Sequence, residues 1–410
     1  MRPTAGFVWG VAAAALAAAV SLAQGPSATL TGLAILPANT FADGPPSGAW
    51  RERQRRGRPE FRSQPVQGFS SLRPDGEDWL VLGDNGFGTR LNSGDALLRM
   101  YRLRLDWAEH GTAPGMVAIE TVLTLSDPAR RWPWRIVREG TKERWLTGGD
   151  LDPESFVRLP DGSFWVGEEF GPFLVHVNAS GELLSPPLGP PGLRSPDHPD
   201  LRDADRAAER GAATVAPSRG FEGLARDPVS GMLYAALEAG PAGDPPGTTR
   251  VIEVDPVAGT FGRTWRVPLE AEGHALTELV SLSDALGSSC PGRFLMVERD
   301  NGHGPDARFK RVYGIRLLET VAGGPTAGPL AVEKRLVADL LDITNPAGLG
   351  GFPARFTFPF ITTEAFWPID TRTLVLVDDN NFPAGGARPG YTRDPSEFIR
   401  LRLGGALSCR

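Results

Sequence analysis

Cysteine and histidine are scarce in this chain: Cys290 and Cys409 are the only thiols, and five histidines are spread over 410 residues. Neither cysteine lies in a metal-type or nucleophile-type spacing, and so few imidazoles and thiolates argue against a zinc centre. The sequence has no Gly-x-Ser-x-Gly elbow, which argues against a serine hydrolase of the α/β type. It has no Walker loop, no Gly-x-Gly-x-x-Gly dinucleotide fingerprint and no EF-hand loop pattern. Excess positive charge is also missing: the formal net charge is -6, which gives no general attraction to nucleic acid or to an anionic membrane, although a local cation could still bind an anion.

What is present is a turn-rich globular composition. Apolar residues make up 41% and charged residues 22% of the chain, enough for a packed core and too apolar for disorder. With Gly at 50 and Pro at 38, short strands joined by loops are favoured over long helices. The N-terminus carries Arg2, then an uncharged stretch from Phe7 to Ala23 ending Ser21-Leu22-Ala23. This is the pattern of a secretory signal cleaved after Ala23. An uncleaved anchor is the weaker reading for so Ala-rich and short a stretch. Residues 1–23 are therefore expected to be a signal peptide and 24–410 a single domain, exported to the periplasm or the extracellular space, with no membrane association in its mature form. In an oxidising compartment Cys290 and Cys409 could pair and tether the C-terminal tail; the alternative is two unrelated thiols.

A repeat organises the mature chain. Glu222-Gly223-Leu224-Ala225, an apolar run from Met232 to Ala236 and Glu238 form one unit. The same pattern is seen in Gln67 to Ser70 with Asp84, Glu154 to Val157 with Glu168 and Glu169, Glu278 to Ser281 with Asp300, and Glu364 to Trp367 with Asp378 and Asp379. Units tens of residues apart mark a stacked or radial fold. The first four units each read as a meander of short strands, the fourth strand of the second being weak near 182. The fifth, with strands at 364–368, 373–377 and 397–403, leaves one strand place empty, and residues 27–36 form an orphan strand that fits it. An all-β propeller of five or six blades follows, closed by the N-terminal strand. Residues 40–66, with the basic run Arg51, Arg53, Arg55, Arg56 and Arg58, residues 126–150 with Trp132, Trp134 and Trp145, and residues 185–218 read as loop insertions. A short helix is expected at Asp203 to Glu209, and a degenerate sixth blade could lie in 126–150 or 185–218.

If the first run of each unit is the innermost strand, the acids that open it and those that end the second strand share one mouth of the central channel. Crowded carboxylates repel where water is partly excluded, so they take up protons or hold a cation. Hard oxygen donors suit Ca²⁺. The candidate ligands are Asp84, Glu154, Glu168, Glu278, Asp300, Glu364 and Asp379, with amides such as Gln67, Asn85 and Asn301 nearby. A free carboxylate, Glu222 or Glu169, is the candidate base. The turns 84–88 and 300–304, Asp-Asn-Gly-Phe-Gly and Asp-Asn-Gly-His-Gly, are near copies, which points to a shared site and brings His303 with it. Arg219, Arg308 and Lys310 are candidate anion-binding cations.

The runs Ser218 to Ala225, Arg194-Ser195-Pro196, Asp150 to Glu154, Gly167 to Pro172 and Glu298-Arg299-Asp300 resemble the bacterial phytase-like family, the "esterase-like activity of phytase" proteins. The resemblance covers nearly all of the mature chain and implies an exported propeller that hydrolyses phosphoesters or esters. The reading that results is a Ca²⁺-dependent hydrolase of phosphate or carboxylic esters, a monomer acting on a small-molecule substrate. The alternatives are a non-catalytic propeller whose calcium is structural and whose face binds a ligand or partner, and a metal-dependent lactonase.

Overall fold

The computed structural model describes residues 27–51, 57–202, 213–319 and 328–409. The signal reading of residues 1–23, the helix expected at 203–209 and the basic residues Arg53, Arg55 and Arg56 lie outside them. No helix among the described residues is long and apolar enough to cross a membrane.

Among the described residues the chain is all-β, with helix limited to short turns. Blade 1 is built from Phe69–Asp75, Asp78–Gly83, Arg99–Asp106 and Gly115–Thr124, each antiparallel to the next. Blade 2 has Pro153–Arg158, Phe164–Glu168 and Phe173–Val177. Its weak fourth strand is reduced to the isolated bridges Val177↔Leu183 and Ser126↔Glu182. Its first hairpin turns at Gly162, whose φ of +87° favours glycine, with Ser163 N–H donating to the Asp161 carboxylate.

Blade 3 runs through Phe221–Arg226, Leu233–Leu237, Thr248–Asp255 and Thr260–Pro268. Blade 4 runs through Ala275–Ser281, Arg293–Arg299, Lys310–Leu317 and Val332–Asp339. Blade 5 has Thr362–Asp370, Thr373–Asp379 and Ser396–Leu403. The empty place is filled by Ala28–Leu36, antiparallel to Ser396–Leu403 from Ala28↔Leu403 to Leu36↔Ser396. The two ends of the chain thus share one blade, which leaves no free edge there and fastens the circle.

The first strand of each blade packs against the first strand of the next, 1 on 2, 2 on 3, 3 on 4, 4 on 5 and 5 on 1, so the inner strands form a closed circuit. The apolar cores lie between neighbouring blades. Phe156, Val166, Leu82 and Met100 join blades 1 and 2, while Leu276, Phe294, Tyr234 and Trp265 join blades 3 and 4. Residues 126–150 form no sheet of their own; Trp132 and Trp134 lie against Phe173 of blade 2, over its face.

The central channel is plugged by one side chain to which every blade contributes. Arg73 of blade 1 pairs with Glu278 of blade 4 at 2.9 Å, donates to Leu224 O of blade 3 at 3.1 Å, and stacks near Phe156 of blade 2 and Trp367 of blade 5. The channel is therefore a cup with one open mouth. At the C-terminus the disulfide Cys290–Cys409, with Cα atoms 4.9 Å apart, ties the tail to blade 4.

Candidate active site

The register of the inner hairpins decides which residues face the mouth. In blades 1, 2, 3 and 5 the first strand carries a one-residue bulge opposite the second. The extra residue is Ser70, Glu154, Glu222 and Glu364 respectively. A bulge re-aims its extra side chain and breaks the simple alternation of faces. In blade 4 the shift falls between Leu276↔Glu298 and Leu279↔Met296, so Thr277 holds the place of Glu222, and Glu278 is one residue beyond it. The residue that ends or directly follows each second strand at the mouth is Asp84, Glu169, Glu238, Arg299 and Asp379 for blades 1 to 5.

All five of these mouth residues line one cavity of ≈200 Å³, together with Asp152, Glu154, Arg219 and Glu364. Glu222 lies within reach of the same carboxylates: Asp152/Glu154/Glu169, Glu154/Glu222/Glu364 and Glu169/Glu222/Glu238 are three groups whose ligand oxygens lie within 4.8 Å of one another. These acids are almost fully buried, and Glu169 Oε1 has no hydrogen-bond partner. Two non-glycine residues with left-handed backbone, Ser218 at φ +48° and Asn381 at φ +47°, line the same cavity; such conformations cluster at functional sites. Gly68, at φ +67°, holds a backbone conformation that favours glycine, and a Cβ there would press on the Asp84 carboxylate.

Burial first, and then neighbouring carboxylates, holds Glu154, Glu169, Glu222 and Asp84 well above the usual carboxylate range. Burial likewise pushes Asp152 and Asp379 up to about 6 and Glu364 up to about 8. Counter-charge is concentrated on one side. Arg299 donates to Glu238 at 2.8 Å and to Asn301 at 2.7 Å and lies 3.6 Å from Glu364, while Arg219 is ion-paired with Glu238. Burial pulls the Arg299 guanidinium down, and Glu238 and Glu364 more than offset that. Among the described residues no lysine or arginine is ion-paired with Asp152, Glu154, Glu169 or Glu222. The donor set is entirely oxygen, and an unpartnered buried carboxylate oxygen is what a hard cation would satisfy.

Of the acids expected as ligands, Asp84, Glu154, Glu364 and Asp379 come together here, and both candidate bases, Glu169 and Glu222, join them. Glu168, Glu278 and Asp300 do not. Glu168 points away from its neighbour Glu169 and accepts from the backbone N–H groups of Phe170 and Gly171 at 2.9 and 2.6 Å, shaping the turn after the strand. Glu278 is consumed by Arg73 and Ser71 in the channel plug. Asp300 stands one residue past Arg299, the true counterpart of Asp84, and pairs with the buried Lys310 at 2.8 Å.

The near-copy turns thus sit one register step apart, and the cations inferred from them fall outside the cavity. Lys310 is held by Asp300 and by carbonyls. Arg308 is exposed and donates to Pro305 O and Ala307 O. His303 accepts from Ile361 N–H at Nδ1 and, through Nε2, bonds the Asp394 carboxylate at 3.1 Å. Arg219 alone of the four expected substrate-binding residues reaches the mouth.

Two cavity residues escape the repeat-based selection. Arg299 breaks the acidic row, and only strand register reveals it. Asp152 precedes the blade 2 strand and is held by Asn85, whose side-chain amide donates at 2.6 Å. Glu238 is visible in the sequence as the acid closing the blade 3 unit.

A family model of phytase-like proteins, described as the esterase-like activity of phytase, matches residues 64–382. Among curated proteins no sequence matches the chain. Solved structures with a similar outline include a PQQ-bound aldose sugar dehydrogenase from Streptomyces coelicolor, 11% identical, covering 91% of this chain and 99% of that one at a TM-score of 0.34. The Cps50 (Swd1) β-propeller domain of Myceliophteria thermophila is 11% identical and covers 82% of this chain and 97% of its own at 0.36. A GH43 β-1,3-galactosidase in complex with galactodeoxynojirimycin is 10% identical and covers 89% and 94% at 0.40. At these scores none of them bears on the chemistry of this chain. The family model, by contrast, runs from the first blade into the loop after the second strand of the fifth, and the chain belongs to the phytase-like family, that of the esterase-like activity of phytase.

Proposed function

We propose that this protein is an exported, calcium-dependent hydrolase of phosphate or carboxylic esters whose reaction takes place at the mouth of the propeller channel. The observation that carries the reading is the cavity itself: buried carboxylates from four blades converge there, and Glu169 Oε1 is left without a partner. Asp152, Glu154, Glu169, Glu222 and Glu364 would hold the cation. Bound there, calcium would polarise the ester oxygen and make a neighbouring water more acidic.

The protein's own groups have separable tasks. Arg299 and Arg219, which line the same cavity, orient an oxygen of the substrate that carries negative charge. Glu169 and Glu222 both fall inside the three-carboxylate groups, so the base is better assigned to Asp379, which lines the cavity and belongs to none of them. Its Oδ1 is fixed by Asn381 N–H at 2.7 Å, so the carboxylate is oriented to accept a proton from water. The Arg73 plug closes the far end, so substrate enters and products leave by the mouth.

A structural role for the cation is the second reading, and one observation favours it. Its ligands come from blades 2, 3 and 5, so a bound ion also fastens the ring. Assay of the purified protein on aryl phosphates and aryl acetates, with calcium and after chelation, tests the proposal. Turnover on one class that chelation abolishes and calcium restores is expected. No turnover on either class with calcium present contradicts catalysis, and a lowered melting temperature on chelation without any activity supports the structural role.

A further inference from the structure

The structure assigns two cations, not one, to the mouth: site A between Asp152, Glu154 and Glu169, and site B between Glu154, Glu222 and Glu364, with Glu154 bridging them. The inference rests on the cation reading above and adds its number and its ligands.

Two independent observations carry it. The first is the connectivity of the acids. The three mutually close groups are not separate; Glu154, Glu169 and Glu222 each belong to two of them. A carboxylate has two oxygens and can serve two cations at once, so shared membership is the arrangement that bridging ligands produce. The oxygens of each group lie within 4.8 Å of one another, which is the spread allowed around one ion at Ca–O distances of about 2.3–2.6 Å. The second is Glu169 Oε1, buried and unpartnered on the wall of site A.

Charge balance sets the number. Among the described residues that line the mouth, three glutamates of the bulge row, four acids of the mouth row and Asp152 stand with two cations, Arg219 and Arg299. Without a cation, burial and crowding keep protons on these acids; cations displace those protons, and with all eight ionised six negative charges are left over. One divalent ion would leave four in a cavity of ≈200 Å³, and two leave two. Like charges so close repel strongly where water is partly excluded, which favours the second ion.

The arginines decide which two of the three groups are filled. In Glu169/Glu222/Glu238, the Glu238 carboxylate is already paired with both Arg219 and Arg299. Asp152 and Glu154 have no ion-pair partner among the described residues, and Glu364 has only Arg299 at 3.6 Å. Cations therefore belong on the Asp152 and Glu364 sides, and Arg299 already supplies the positive charge on the third.

The test is calcium stoichiometry of the full mature chain, metal-depleted and then titrated by calorimetry, with bound metal counted by mass spectrometry after desalting. Two calcium ions per chain are expected for the wild type. Glu364→Gln should bind one, and Glu238→Gln should still bind two. One ion in the wild type overturns the two-cation inference and leaves the single-cation reading standing; none overturns both. Loss of an ion in Glu238→Gln with two retained in Glu364→Gln overturns the placement of site B. If a variant does not fold, as judged by circular dichroism, the wild-type count alone decides between one ion and two.

Discussion

Replacing Glu278 by Ala would strand the Arg73 guanidinium at the centre of the propeller. Its side chain is 7% exposed and that of Glu278 is fully buried, and the pair is joined at 2.9 and 3.2 Å. Breaking a buried pair by removing one partner costs about 3–5 kcal/mol, because the remaining charge is left uncompensated. Unfolding entropy near 2 cal/mol/K per residue gives a chain of this size roughly 0.8 kcal/mol per degree, so a fall in melting temperature of about 4–6 °C is expected. The double variant Arg73→Met/Glu278→Leu removes both charges and fills similar volume, and it should recover most of that loss. Leu224 O would still lose its donor, so recovery stays short of complete. Thermal unfolding followed by circular dichroism on the wild type, the single and the double variant measures this. A single variant melting within a degree of the wild type, or a double variant as unstable as the single, would refute the plug.

Three further outcomes are expected. In chelator-treated protein the raised carboxylates keep their protons in the fold and lose them in the unfolded chain. With Asp152 and Asp379 at about 6 and Glu364 at about 8 against ordinary values near 4, the folded state holds the extra protons, so stability falls as pH rises from about 4 to 8. Each extra proton contributes roughly 1.4 kcal/mol per pH unit, so melting temperatures should drop steeply from pH 5 to pH 8, and calcium should flatten or reverse that slope because protons and metal compete. Reducing Cys290–Cys409 opens a loop spanned by 119 residues, worth up to about 5 kcal/mol in chain entropy, so a thermal melt with reductant should shift down by several degrees. Glu168→Gln should lower stability by about 1–3 kcal/mol through its lost backbone contacts and leave the calcium count unchanged; a lost ion would place Glu168 among the ligands.

The propeller was legible in the sequence because alternating apolar runs and turn residues recur with each blade, and because the last unit lacked a strand that residues 27–36 could supply. What the pattern did not carry was register. Aligning the units by the identity of their acids put Glu278 and Asp300 into rows where Thr277 and Arg299 stand, since the shift of strand pairing between Leu276 and Leu279 leaves no mark on the hydrophobic pattern. A slip of one residue re-aims every side chain that follows it. His303, Arg308 and Lys310 were carried along by the same slip. Glu168 and Glu169 show the limit at its smallest: adjacent residues on a strand end face opposite ways, one to the turn and one to the cavity. Arg299 was hidden for a different reason, because a repeat directs attention to residues that match, and its importance lies in breaking the match.

Whether the mouth carboxylates hold calcium is read most directly from crystals grown with calcium, using anomalous scattering to locate the ion. Anomalous peaks about 2.3–2.6 Å from the carboxylate oxygens of Asp152, Glu154 and Glu364 are predicted. A cavity without an anomalous peak, its glutamates bonded to one another through shared protons in saturating calcium, would contradict it.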